Sequence, residues 1–167
     1  MITKATQPPS EHATLLAVDL GLRAGLAQYN SRGRLISYRS TNFGSMSRLK
    51  KGVTGVVRPL EHLAWIVVEG DRKLGEVWEG AAAHRGADFD WVSPEQWRKA
   101  LLLPRKQRSG AKAKEEADAL ARKVIKWSEL KGPTSLRHDA AEAILIGLWA
   151  VLTLGWLDEN PLSKRHR

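Results

Sequence analysis

The 167-residue chain has no cysteine, which excludes disulfides, thiolate zinc sites and a cysteine nucleophile, and suits a reducing cytoplasm. Its 27 Lys and Arg against 18 Asp and Glu give a formal charge of +9, which favours a polyanionic partner: nucleic acid first, an anionic membrane surface second. With 43% apolar and 27% charged residues, the composition is that of one globular domain with a real core.

Residues 1–13 are polar, contain Pro8-Pro9 and lack an apolar h-region, so a disordered tail is expected and no secretory signal. One domain is expected over 14–157, followed by a polar tail over 158–167. Leu15–Leu20 reads as a fully buried strand. Gly21 and Gly25 punctuate, Leu26–Tyr29 begins a second strand, and Ser31-Arg32-Gly33 turns the chain into a third, Leu35–Ser40. That pattern is a three-stranded antiparallel meander. Ser47–Leu63 has a helical apolar spacing interrupted by Gly52, Gly55 and Pro59. Ala64–Glu69 is a short continuous apolar run, hence a central strand. An Ala-rich helix over Leu74–His84 and a short strand over Phe89–Val92 follow.

Ser93 as N-cap and Pro94 at the first helical position start a helix that stops at Pro104. A basic loop, Pro104–Gly110, leads into a long helix, Ala111–Leu130, with Ala117, Leu120, Ala121, Val124 and either Ile125 or Trp127 on its apolar side. Gly132-Pro133 breaks it, and a last helix spans Arg137–Leu154. The longest apolar stretch, Ala143–Leu157, is interrupted by Gly147, Thr153 and Gly155 and is shorter than the roughly 20 residues of a membrane span. A buried core helix is expected there, and no membrane. The order β-β-β-α-β-α-β-α-α-α points to an α/β sheet covered by helices.

Four carboxylates stand at the ends of these core elements. Asp19 closes LLAVD, Glu69 closes WIVVE, and Asp139 and Glu142 open HDAAEAILIGLWA. Burying a carboxylate is costly unless it is paired or holds a cation. Asp139 and Glu142 are three apart, so one helix side carries both. If the strands ending in Asp19 and Glu69 are neighbours, a helix packed on their ends completes a group of four. Such a group repels itself when empty, and hard, oxygen-preferring Mg²⁺ or Mn²⁺ relieves the repulsion. Two such ions, about 3.5–4 Å apart, are suited to phosphodiester hydrolysis. Taken singly, an Asp after a strand is commonly a turn or cap residue, and an Asp at a helix start suits the dipole. The case for a metal centre rests on the joint arrangement. His138 has three readings: a support for a metal ligand, a phosphate contact, or an ordinary helix-start residue.

These segments resemble the RuvC-like Holliday junction resolvases of the RNase H-like superfamily, with the phage-type members nearest. LAVDLGLRAGLA is similar to the first motif of that family, IVVEG to the second with its catalytic Glu, and HDAAEAILIG to the third, where a helix carries two acids three apart. VSPEQWRKALLL resembles its Pro–x–x–Trp–Lys stretch, with Arg98-Lys99 after Trp97, and GAKAKEEADALA its basic helix start. The resemblance covers Leu15–Val151. Glu142 stands where bacterial members have Asp, and the first loop is shorter than theirs.

The resemblance implies an RNase H-like fold, with a mixed central five-stranded sheet of three antiparallel strands then two parallel ones, flanked by helices. It implies a homodimer cutting branched DNA by paired nicks, with two Mg²⁺ ions, replaceable by Mn²⁺, on Asp19, Glu69, Asp139 and Glu142. Glu142 and His138 remain to be divided between ligand and supporting roles. Other readings are an RNase H-like nuclease on structured RNA, of the YqgF type, and a non-catalytic nucleic-acid-binding domain.

Arg105, Lys106, Arg108, Lys112 and Lys114 are expected to grip phosphates, as are Arg72 and Lys73 after Glu69 and Arg23 close to Asp19. Of the seven tryptophans, Trp65, Trp97, Trp127 and Trp149 read as core. Trp78 lies on the helix after Glu69, a neighbourhood that in the resembled family helps to open the junction, although plain helix packing is the favoured reading. The same small-residue helix is the expected dimer interface.

Overall fold

The structure is a computed structural model that describes residues 2–102 and 110–163. The first three strands are β1 (Thr14–Asp19), β2 (Arg23–Asn30) and β3 (Leu35–Asn42). After α1 (Met46–Val57) come β4 (Leu63–Glu69), α2 (Arg72–Arg85) and β5 (Asp88–Trp91). Three helices follow: α3 (Pro94–Leu101), α4 (Gly110–Trp127) and α5 (His138–Leu154).

One five-stranded sheet has the order β3-β2-β1-β4-β5. β1, β2 and β3 pair antiparallel, while β4 runs parallel to both β1 and β5. This is the layout expected of an RNase H-like fold. The parallel connections require helical crossovers, which α1 and α2 supply. Among the described residues, no helix is long and apolar enough to cross a membrane.

Strand alternation divides the interior into two cores. Leu16, Val18, Ile66 and Val68 join α1 and α2 on one face of the sheet. Leu15, Ala17, Tyr29 and Val67 join α3, α4 and α5 on the other. Buried on nearly every side, α5 is apolar all round, as a core helix must be. Two glycines let it lie close to the sheet. A Cβ on Gly147 would stand 2.2 Å from the Tyr29 ring, and a Cβ on Gly25 would stand 1.8 Å from the Asp139 carbonyl oxygen. The buried Tyr29 hydroxyl donates to the Ile144 carbonyl and ties β2 to this helix.

Ile2 is buried, and the Ala5 amide donates to the Leu154 carbonyl at 3.2 Å. Trp78 is fully buried, edge-on to Phe43 at 6.3 Å between ring centroids, so its role in this structure is helix packing. Trp97 is also fully buried, whereas Trp65 and Trp149 only border the core. Trp127 lies under the Arg34 guanidinium, 3.9 Å from ring centroid to Cζ.

Candidate metal centre

Asp19 and Glu69 are the last residues of two parallel neighbours and stand opposite each other in the β1–β4 register. Alternation fixes their direction. Ala17 and Val67, two residues earlier on each strand, face the α3–α5 side, and Asp19 and Glu69 share that side. The chain leaves cleanly from this point. Leu20 continues the ladder by donating to the Glu69 carbonyl at 2.9 Å. Gly70 takes φ +131, a conformation L side chains rarely adopt. Asp71 is spent as N-cap of α2, accepting from the Leu74 amide at 3.1 Å.

Gly25, the partner of Asp19 in the β1–β2 register, admits the first turn of α5 onto the sheet. One turn further along that helix, Glu142 comes over the strand ends. One carboxylate oxygen from each of Asp19, Glu69 and Glu142 lies within 4.8 Å of the other two. Among the described residues, Glu69 and Glu142 are the buried charged side chains, 8% and 7% exposed.

The electrostatics of the group follow from this crowding. Burial first, then the charges of Glu142, Glu69 and Asp139, push the Asp19 carboxyl from its ordinary 3.8 up to about 8, against a lowering by Arg98. Burial and Glu142 also raise Glu69, opposed by Arg98 and by the Trp97 indole. That indole N–H is near enough to favour the ionised Glu69 but makes no hydrogen bond of ordinary geometry. The three converging carboxylates form an oxygen-only donor set, which fits a hard divalent cation.

Asp139 stands outside this group. Its Oδ2 accepts from the Ser40 hydroxyl at 2.9 Å and its Oδ1 from the Ala140 amide at 2.7 Å, with the Arg137 Nε at 4.0 Å. It acts on Asp19 through its charge. His138 contacts Glu142, with Nε2 3.1 Å from Oε1. Arg98, which carried no expected role, reaches the same oxygen with Nη2 at 3.0 Å. The sequence signal for Arg98 was slight: it directly follows Trp97, the buried anchor of a short helix. Ser40 had none, being one more polar residue on an alternating strand.

The expected phosphate contacts spread over several elements. Arg23 is exposed at the start of β2, and Arg72 and Lys73 are exposed in the first turn of α2. The Arg72 Cζ lies 4.9 Å from the Trp91 ring centroid. Lys112 and Lys114 are exposed near the start of α4. Arg105, Lys106 and Arg108 lie outside the described residues.

No protein-family model matches the chain, and no curated protein matches it. Among solved structures, 99% of the chain aligns with a component of the simian T-cell lymphotropic virus intasome in complex with PP2A regulatory subunit B56 gamma, at 12% identity and a TM-score of 0.31. The chain spans about half of that component, 55% of its length. A likeness at this level carries no argument about function.

Proposed function

We propose that the protein is a divalent-metal-dependent endonuclease of the RuvC-like kind, acting on branched DNA and resolving four-way junctions by paired nicks. The observation that carries the reading is the convergence of Asp19, Glu69 and Glu142 within 4.8 Å, from two adjacent strand ends and one helix. The formal charge of +9 supports a phosphate-bearing substrate, and the order of the motifs along the chain supports junction DNA among such substrates.

Asp19, Glu69 and Glu142 would hold Mg²⁺ or Mn²⁺, with Asp139 beside them as a fourth carboxylate. When bound, the cations supply a nucleophilic water at neutral pH and charge stabilisation at the leaving oxygen. Asp19 must release its proton to serve as a ligand, which its burial first and then its acidic neighbours oppose. Glu69 is buried, with the Trp97 indole beside it. Exposed Arg23, Arg72, Lys73, Lys112 and Lys114 draw the phosphate backbone toward the sheet end. A homodimer in the cytoplasm completes the proposal, since two-fold symmetry presents two such sites to one junction.

The test is incubation of the protein with end-labelled four-way junction and Mg²⁺, beside duplex, flap and structured RNA. Paired symmetric nicks confined to the junction are expected. Cleavage confined to RNA replaces the substrate, and no metal-dependent cleavage of any substrate removes the enzyme reading.

A further inference from the structure

Arg98 occupies an unusual place for a cation. Its guanidinium touches Glu142, one of the three converging carboxylates, although its own side chain is 37% exposed while that of Glu142 is 10% exposed. It is delivered there by a rigid element. Ser93 and Gln96 form a reciprocal capping box at the start of α3, Pro94 sits in its first turn, and fully buried Trp97 fixes the helix against the core. The Arg98 Cζ stands 5.2 Å from the Trp97 ring centroid.

We infer that Arg98 is a built-in competitor of the divalent cation: its guanidinium holds Glu142 in the metal-free protein and leaves that carboxylate when metal binds. The inference rests on the proposed metal centre and adds a residue that sets its affinity. Oε1 of Glu142 faces two donors, Arg98 Nη2 at 3.0 Å and His138 Nε2 at 3.1 Å. A carboxylate oxygen has two lone pairs, so a cation bound through Oε1 requires a donor to withdraw. Arg98 is the one it repels, since arginine stays protonated under all working conditions. Its exposed flank gives the guanidinium a path into water. The influence of Arg98 extends to Asp19 and Glu69, whose ionised forms it also favours, so it serves the whole group as a resident counter-charge. Metal and Arg98 therefore compete for one function, neutralising three carboxylates.

The experiment is calorimetric titration of MnCl₂ into the full chain at about pH 8, for wild type, Arg98→Gln, Arg98→Lys and Lys99→Gln. Lys99→Gln removes the same charge from the next, exposed residue of α3. Arg98→Gln is expected to bind Mn²⁺ roughly tenfold tighter, a usual strength for two ligands coupled through one site. Lys99→Gln is expected to change affinity by less than about twofold, because an exposed charge is screened. Arg98→Lys keeps the charge without the planar fork and falls between wild type and Arg98→Gln. In EDTA, Arg98→Gln melts lower than wild type, since the carboxylates lose their counter-charge, and Mn²⁺ raises its melting temperature by more.

Equal or weaker Mn²⁺ binding by Arg98→Gln overturns the inference, as does equal tightening by Lys99→Gln. Should Arg98→Gln not fold, unchanged affinity in Arg98→Lys overturns it. A wild type that binds no Mn²⁺ removes both this inference and the nuclease proposal. Tightened binding without metal-dependent cleavage of any substrate by any variant removes the nuclease proposal and upholds the competition.

Discussion

The main chain of Asp139 rests on Gly25, so close that a methyl group at Gly25 would overlap the Asp139 carbonyl oxygen at 1.8 Å. This contact sets the height of the α5 N-terminus over the sheet, and with it the position of Glu142 above Asp19 and Glu69. Because the obstacle is backbone, no rotamer change relieves it. Gly25→Ala is expected to cost at least the ~1–3 kcal/mol of an overpacked site and to lift the helix from the strand ends. Urea denaturation should show the loss, and Mn²⁺ titration should show weakened binding in the fraction that folds. Wild-type metal affinity in Gly25→Ala would mean that Glu142 does not depend on this seat.

Asp19 bears the strongest conflict in the centre, and its removal separates structure from chemistry. Asp19→Asn keeps the size of the side chain and removes an ionisation that burial and three other carboxylates oppose. The metal-free variant is expected to melt above wild type, to keep its affinity for four-way junctions, and to lose cleavage. Normal Mg²⁺-dependent cleavage by Asp19→Asn would refute the assignment of Asp19 as a metal ligand.

The sheet was legible in the sequence because its strands announce themselves in period and punctuation. LLAVD and WIVVE are continuous apolar runs, which only strands buried on both faces sustain, and the two prove to be parallel neighbours. Ser93 as N-cap and Pro94 at the first helical position marked the start of α3 where it falls. The acids at the strand ends were equally readable, since Asp19 and Glu69 close apolar runs. What one dimension cannot show is which of two acids on a helix turn faces inward. Asp139 and Glu142 share one side by spacing. The seat on Gly25 and the bond to Ser40, distant in sequence, leave Asp139 outside the triad and put Glu142 within it. Arg98 was hidden for the same reason, its partner lying 44 positions away.

The raised carboxyls make stability fall with pH in the metal-free protein. Asp19 titrates at about 8 when folded and near its ordinary 3.8 when unfolded, and Glu69 is displaced in the same direction. Between those values the folded chain holds more protons than the unfolded chain, so raising the pH favours unfolding. Melting temperatures in EDTA are expected to drop from about pH 5 to about pH 8, and saturating Mg²⁺ should restore them most at the upper end, where the ligands are ionised. Other groups titrate in the same window, so the diagnostic quantity is the difference from Asp19→Asn. That variant should show a shallower fall, and an identical slope would contradict the upward shift of Asp19 by burial and neighbouring charge.

Glu142 and Asp139 differ in what they lose when neutralised. Glu142 faces Asp19 and Glu69 directly, so Glu142→Gln removes one of three converging charges and leaves Arg98 and His138 beside an amide. Asp139 is satisfied by the Ser40 hydroxyl and the Ala140 amide, and an Asn oxygen can still accept one of these bonds. Mn²⁺ titration is expected to show about a 100-fold or greater loss for Glu142→Gln. Asp139→Asn should lose about tenfold, the lower end for residues that support ligands rather than act as them. Ser40→Ala releases the Asp139 carboxylate from β3 and tests the point independently. If Asp139 is held apart by that bond, its loss should leave Mn²⁺ affinity unchanged or higher. Equal losses in Glu142→Gln and Asp139→Asn would instead show Asp139 leaving Ser40 to join the other three carboxylates when the cation arrives.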